Sequence, residues 1–151
     1  MPKIPYAWQK VNETIEMPSS RSKSFNVLGL LSPNTNFDSM IVEGTVTTDV
    51  IVNYFDEFAT SLTQETWIIL DNAPTHKSKA FQAKIPEWKN KNLHLYFLPP
   101  YSPELNLIEI LWRFIKYKWL TFAAYLSTDH LEKSLIEILA NIGTKYQITY
   151  V

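Results

Sequence analysis

An unbroken apolar run, Trp67-Ile68-Ile69-Leu70, ends at Asp71 and the turn formers Asn72-Ala73-Pro74. A strand that is apolar at every position, rather than at every second one, belongs in a sheet covered on both faces. Such sheets are parallel or mixed and carry helices on their faces. This segment therefore predicts an α/β chain, and the periodicity on either side of it agrees.

Upstream, Phe25 to Leu31 (FNVLGLL) and Ser39 to Thr47 flank the turn-rich residues 32–36 and read as a β-hairpin. Thr48 or Asp49 caps a predicted helix running to about Leu62, with Val50, Ile51, Tyr54, Phe55, Phe58 and Leu62 at helical spacing. Downstream, Thr75 is the predicted cap of a helix from about His76 to Trp88, whose last turn Pro86 should kink or shorten. Leu93 to Leu98 reads as a further strand, stopped by Pro99-Pro100. The next helix reaches Leu120 and presents a stripe of Ile108, Leu111, Trp112 and Ile115, with Glu109 at its border. A last amphipathic helix spans about Thr128 to Asn141 on Leu131, Leu135, Ile138 and Leu139. Lys10 to Met17 could form a short strand. The order strand, strand, helix, strand, helix, strand, helix, helix implies right-handed crossovers and a reactive crevice beyond the carboxyl ends of the strands, where Asp71 sits.

The 151 residues are expected to form a single domain, with about 125–151 supplying a C-terminal helix and tail. Hydrophobic residues make up 46% of the chain and Gly numbers only 3, which predicts a packed core and not a linker. With 14 Lys and Arg against 15 Asp and Glu, there is no whole-domain basic footprint, so any DNA affinity must come from a local patch. The absence of cysteine excludes disulfides and thiolate metal sites. The start lacks the apolar segment of a signal peptide, and no apolar run approaches the ~20 residues of a membrane span. The expectation is a cytoplasmic protein with no membrane partner.

Two acids stand out, and each has an ordinary explanation. Asp71 alone is a favoured turn residue at the end of a strand. Glu109 could be the N3 partner of Asn106 in a capping box, or could pair with Arg113 one turn on. Glu104, after Ser102 and Pro103, matches a helix start.

Taken together, LDNAPTHKS (70–78) and LPPYSPELNLIEILW (98–112) resemble the paired catalytic motifs of the mariner superfamily of DDE transposases, in its bacterial insertion-sequence branch. Trp8 and the FNVLGLLS strand resemble the segment that follows the family's first catalytic strand, so the resemblance covers about residues 6–120. It implies an RNase H-like mixed sheet with flanking helices. It also implies a DNA endonuclease and strand transferase that cuts and joins phosphodiester bonds at transposon ends.

Carried onto this sequence, Asp71 corresponds to the second acid of the catalytic triad and Glu109 to the third, and both are implied metal ligands. Asn72, His76, Lys77, Asn106 and Arg113 are implied candidates for contacts behind the metals or to DNA. The implied cofactors are two Mg²⁺ or Mn²⁺ ions, hard cations that favour oxygen ligands. Where the family has its first acid, on a strand before the Trp8 segment, this sequence has no counterpart. Asp38 and Glu43 fall around the later hairpin strand and do not match.

The first strand is central in such a sheet, so the expectation is an N-terminally truncated catalytic domain with an incomplete two-metal site, inactive alone. A second chain or a rearranged N-terminal segment would supply the strand, and a second chain the DNA-binding region, because no helix-turn-helix precedes the hairpin. The rival expectation is a non-enzymatic remnant that binds or oligomerises with a full-length transposase. Lys77, Lys79, Lys84, Lys89, Lys91, Arg113, Lys116 and Lys118 could form a phosphate-binding rim or simply be solvated helix faces. Trp112, Tyr117 and Trp119 are expected in the core or an interface.

Overall fold

A computed structural model describes residues 11, 23–100, 102 and 105–149. The Trp8 segment, Pro103, Glu104 and the possible strand at 10–17 lie outside these residues, apart from an exposed Val11.

The hairpin forms where the apolar runs place it. Strand β1 (Phe25–Leu31) pairs antiparallel with β2 (Phe37–Glu43), Phe25 opposite Glu43 and Leu31 opposite Phe37. β2 begins and ends earlier than its sequence pattern predicts. Gly44, at φ 85°, turns the chain out of the ladder while its N–H donates to the Ser24 carbonyl at 2.8 Å. Helix α1 (Thr48–Ser61) follows, capped by the Thr47 hydroxyl, which accepts from the Val50 N–H.

Strands β3 (Thr66–Leu70) and β4 (Leu93–Phe97) pair in parallel, joined by helix α2 (Lys79–Asn90). α2 starts later than expected. Residues 74–77 form a tight turn in which the His76 and Lys77 N–H groups both donate to the Ala73 carbonyl, and Ser78 rather than Thr75 becomes the cap, accepting from the Phe81 N–H at 3.2 Å. Pro86 does not end the helix. It removes the bond to the Gln82 carbonyl, but both residues are exposed and water can serve that carbonyl, while Trp88 two residues on is fully buried and holds the last turn in place.

Helix α3 (Ile108–Phe114) runs into a wider turn over Ile115–Trp119, closed by a bond from the Leu120 N–H to the Ile115 carbonyl five residues back. A 3₁₀ turn (Phe122–Leu126) leads to helix α4 (Thr128–Ala140), capped by Ser127.

Two apolar clusters lie on opposite faces of the hairpin. Leu28, Leu30 and Met40 pack on a core of α1, α2, Ile68, Leu70 and Leu93. Phe25, Val27, Leu31, Phe37 and Ile41 pack on a second core of Leu111, Ile115 and the α4 residues Leu135, Ile138 and Leu139. The β3–β4 pair is covered on one face only. Ile68 and Leu70 are buried, but Trp67 (62% exposed), Ile69 (56%) and Tyr96 (57%) stand open, contrary to the two-sided burial that the apolar run predicts. The described helices explain the difference, because α3 and α4 pack on the hairpin and not on β3.

The sheets are not joined. β1 pairs only with β2 and β3 only with β4 among the described residues.

Two contacts fix how the helices sit. The indole of fully buried Trp88 donates to the Asp56 carboxylate at 2.7 Å, tying α2 to α1. Asp56→Ala should leave that N–H unpaired and lower unfolding free energy by about 1–3 kcal/mol in urea titrations. Gly29 is the second fixed point. A Cβ there would lie 2.8 Å from the Phe37 ring and 2.9 Å from Trp112 Cη2, so glycine lets α3 lie directly on β1. Gly29→Ala is expected to destabilise by about 1–3 kcal/mol and to lower the Tm.

Candidate active site

A slot of about 570 Å³ separates β1 from β3, walled by Val27–Leu31 on one side and Thr66–Leu70 on the other. Ile51, Tyr54, Phe55 and Phe58 of α1 line it, as do Ile108 and Trp112 of α3. Asp71, His76, Asn106 and Glu109 also line it, so both singled-out acids open on the same cavity.

Asp71 is the residue immediately after β3, held there by a small scaffold. Its Oδ1 accepts from the Ala73 N–H at 3.1 Å, an Asx turn that the following Pro74 favours, and lies 3.0 Å from His76 Nδ1. His76 is largely covered, with its ring tilted on Phe81 at a centroid distance of 5.3 Å. Asn72 faces away from the acids' chemistry. Its amide donates to the Leu98 carbonyl while the Leu98 N–H donates to the Leu70 carbonyl, so it clamps the ends of β3 and β4 together.

Glu109 lies in the first turn of α3 and is exposed. Neither ordinary explanation for it is present. Leu107 occupies the cap position without a side-chain bond, and Asn106 contributes only its backbone carbonyl, 3.0 Å from the Glu109 N–H. Among the described residues Glu109 makes no ion pair with Arg113, and its carboxylate is left unengaged. Arg113 and Lys77 are exposed.

The other acids and cations have structural duties. Asp38 accepts from the Tyr54 hydroxyl at 2.6 Å, and Glu43 pairs with Lys23 at 3.0 Å. Lys84 bridges Asp56 and Glu87, and Lys91 pairs with Glu87, which these two lysines hold down at a pKa of about 2. Lys118 sits over the Phe114 ring and Lys116 over Tyr117. Of the lysine rim, Lys77, Lys79, Lys89, Lys116 and Lys118, with Arg113, are exposed and without an ion pair among the described residues.

Residues 1–132 match the model of a family described as DDE superfamily endonuclease. The chain belongs to the DDE superfamily endonucleases. A curated relative, the uncharacterized protein y4pE/y4sA of Sinorhizobium fredii, is 38% identical over 64 residues, 42% of this chain and 43% of that protein. The fold is similar to that of a chain in the crystal structure of the Mos1 strand transfer complex, with a TM-score of 0.52 and 15% identity over 92% of this chain and 43% of that one. That likeness gives this DDE endonuclease an RNase H-like mixed α/β fold. The chain spans less than half the length of either relative.

DDE endonucleases imply divalent metal, and the described donors fit it in part. Asp71 Oδ2 and the Glu109 carboxylate are accessible hard oxygen donors without another bond among the described residues, suited to Mg²⁺ or Mn²⁺. Yet no group of three or more His, Asp or Glu side chains gathers among the described residues to hold an ion. No helix is long and apolar enough to cross a membrane among those residues.

Sequence reasoning passed over the Tyr54–Asp38 bond at the slot floor, although Asp38 beside Phe37 at the start of β2 was a visible signal. Burial, and then the bond to Asp38, hold the Tyr54 phenol well above its ordinary value of 10.0. The neutral form is favoured in the fold, so the stabilisation is complete below about pH 10 and is lost as pH rises beyond it. Urea midpoints should fall more steeply above about pH 10 in the natural chain than in Tyr54→Phe. Parallel slopes for the two would contradict this role.

Proposed function

We propose that residues 1–151 form the catalytic domain of a transposase, a DDE endonuclease that cuts and joins DNA strands at transposon ends. Asp71 and Glu109 are its second and third acids. The observation that carries this reading is that the two acids, far apart in sequence and neither fully explained by local structure, open on one slot at the carboxyl end of β3.

Bound Mg²⁺ or Mn²⁺ would supply charge neutralisation at the scissile phosphate and an activated oxygen nucleophile. The chain's own residues perform the rest. The Ala73 N–H and the His76 ring fix the Asp71 carboxylate through Oδ1, leaving Oδ2 to face a ligand. Asn72 keeps the β3 terminus in place through Leu98, so it acts by positioning. Lys77 and Arg113 are free to meet phosphate oxygens, an interaction that weakens steeply with salt.

Two carboxylates hold two divalent ions poorly, and the first acid of the set has no counterpart beside them among the described residues. The isolated chain is therefore inactive. A second reading, a non-enzymatic module that docks on a full-length transposase, draws support from the open apolar face of Trp67, Ile69 and Tyr96. It predicts normal docking after loss of both acids.

Mn²⁺ titration by electron paramagnetic resonance tests the catalytic reading. One weak site is expected, weakened about tenfold or more in Asp71→Asn and in Glu109→Gln, the equivalent of ~1.4 kcal/mol. Mn²⁺ binding indifferent to both substitutions would sink the assignment of these acids. In a Mn²⁺ plasmid-nicking assay the isolated chain should match its Asp71→Asn variant, and acid-dependent cleavage would overturn its inactivity.

A further inference from the structure

The outer edge of β4 is an open ladder, and two bonds at its ends set its phase. The Thr66 N–H donates to the Asn92 carbonyl at 2.8 Å, and the Leu98 N–H to the Leu70 carbonyl at 2.8 Å. In a parallel pair every second residue turns both of its backbone groups to the neighbouring strand, so His94 and Tyr96 bond β3. Leu93, Leu95 and Phe97 therefore turn their N–H and C=O groups outward, and among the described residues nothing pairs with them.

Such edges are ordinarily guarded by charge or proline. The outer strand of the hairpin, β2, carries Asp38 and Glu43. β4, LHLYF, has no proline and no Asp, Glu, Lys or Arg. Its His94 is engaged within its own chain, with Nε2 3.2 Å from Glu65 and the ring stacked on Trp67 at a centroid distance of 4.7 Å.

The edge also complements itself. A second β4 laid antiparallel, with Leu95 opposite the partner's Leu95, makes Leu95–Leu95 and both Leu93–Phe97 pairs hydrogen-bonded ones, which uses every outward N–H and C=O. The twofold axis stands perpendicular to the sheet, so both α2 helices share one face and both open faces share the other. Each α2 packs on its own β3–β4 pair through Phe81 and Trp88. Two such pairs side by side set the helices about 10 Å apart, an ordinary packing distance. On the open face, exposed Trp67 and the stacked His94 continue into the partner's Tyr96 and Ile69, a row repeated by symmetry.

We infer that β4 is a dimerisation edge that joins two copies of this chain into one sheet of order β3-β4-β4-β3. A five-residue edge covers less than the ~800 Å² per partner of a stable complex, so the dimer is weak and forms at high protein concentration. It leaves the slot beside each β3 free, and it sets the two Asp71 residues at opposite ends of the joined sheet, about 25 Å apart by strand spacing and rise.

Disulfide trapping tests the register, because the chain has no cysteine of its own. His94→Cys and Tyr96→Cys, both on the open face, are prepared separately. Residue 94 and the partner's residue 96 form a pair with Cα atoms about 4.5 Å apart, within disulfide range, whereas 94–94 and 96–96 lie beyond ~7 Å. Oxidation of an equal mixture should give about tenfold more covalent dimer than either variant alone. Sedimentation equilibrium of the unsubstituted chain at about 0.5 mM should show a monomer–dimer equilibrium, which Tyr96→Lys weakens about tenfold or more with its Tm unchanged.

Four results overturn the proposal. They are a monomer at the highest concentration, a dimer indifferent to Tyr96→Lys, equal trapping in the mixture and in the single variants, and amides of Leu93, Leu95 and Phe97 that exchange as slowly as those of His94 and Tyr96 in the dilute chain. The last would show the edge already covered by another part of the same chain.

Discussion

Among the described residues the two sheets share no hydrogen bond, so the site depends on α1 packing beneath both of them. Its buried face, Ile51, Tyr54, Phe55 and Ala59, meets Leu28 and Leu30 of the hairpin as well as Ile68 and Leu70 of β3. Phe55 anchors the arrangement, in edge contact with Phe81 at 5.4 Å and tilted on Trp88 at 5.2 Å. The ring cluster holds α2 against α1, and Asp56 fixes it through the Trp88 indole. A helix spanning two sheets sets a fixed separation between β1 and β3, and the slot is that separation.

The same geometry accounts for the placement of the acids. Asp71 is positioned by β3, which α1 and α2 support, whereas Glu109 is positioned by α3, which rests on the hairpin through Trp112 and Gly29. Each acid thus belongs to a different half of the molecule. Their relative position is only as rigid as the packing under the slot.

Several elements were legible from local sequence. FNVLGLL gave β1 its bounds, and the stripe of Ile108, Leu111, Trp112 and Ile115 correctly separated buried Leu111 and Ile115 from exposed Glu109. Errors arose where two local signals competed. Thr75 is the cap that the sequence predicts, and the turn over residues 74–77 gives the role to Ser78. Pro86 is expected to kink or shorten the last turn, but α2 runs on to Asn90 because burial of Trp88 outweighs one lost backbone bond. The TWIIL run was read as buried on both faces because composition cannot say which helices will cover a strand.

By itself the sequence determined the order of elements, the parallel β3–α2–β4 unit and the motifs carrying Asp71 and Glu109, because each depends on periodicity, capping and turn chemistry within a few residues. It also carried the family, through motifs long enough to be specific. Only the tertiary structure decided that the hairpin and the parallel pair stand apart, that Glu109 has neither a capping nor an Arg113 partner, and that Tyr54 binds Asp38 at the slot floor. These features depend on contacts between segments distant in the chain. Local pattern restricts such contacts, but the packing of the whole core selects among them.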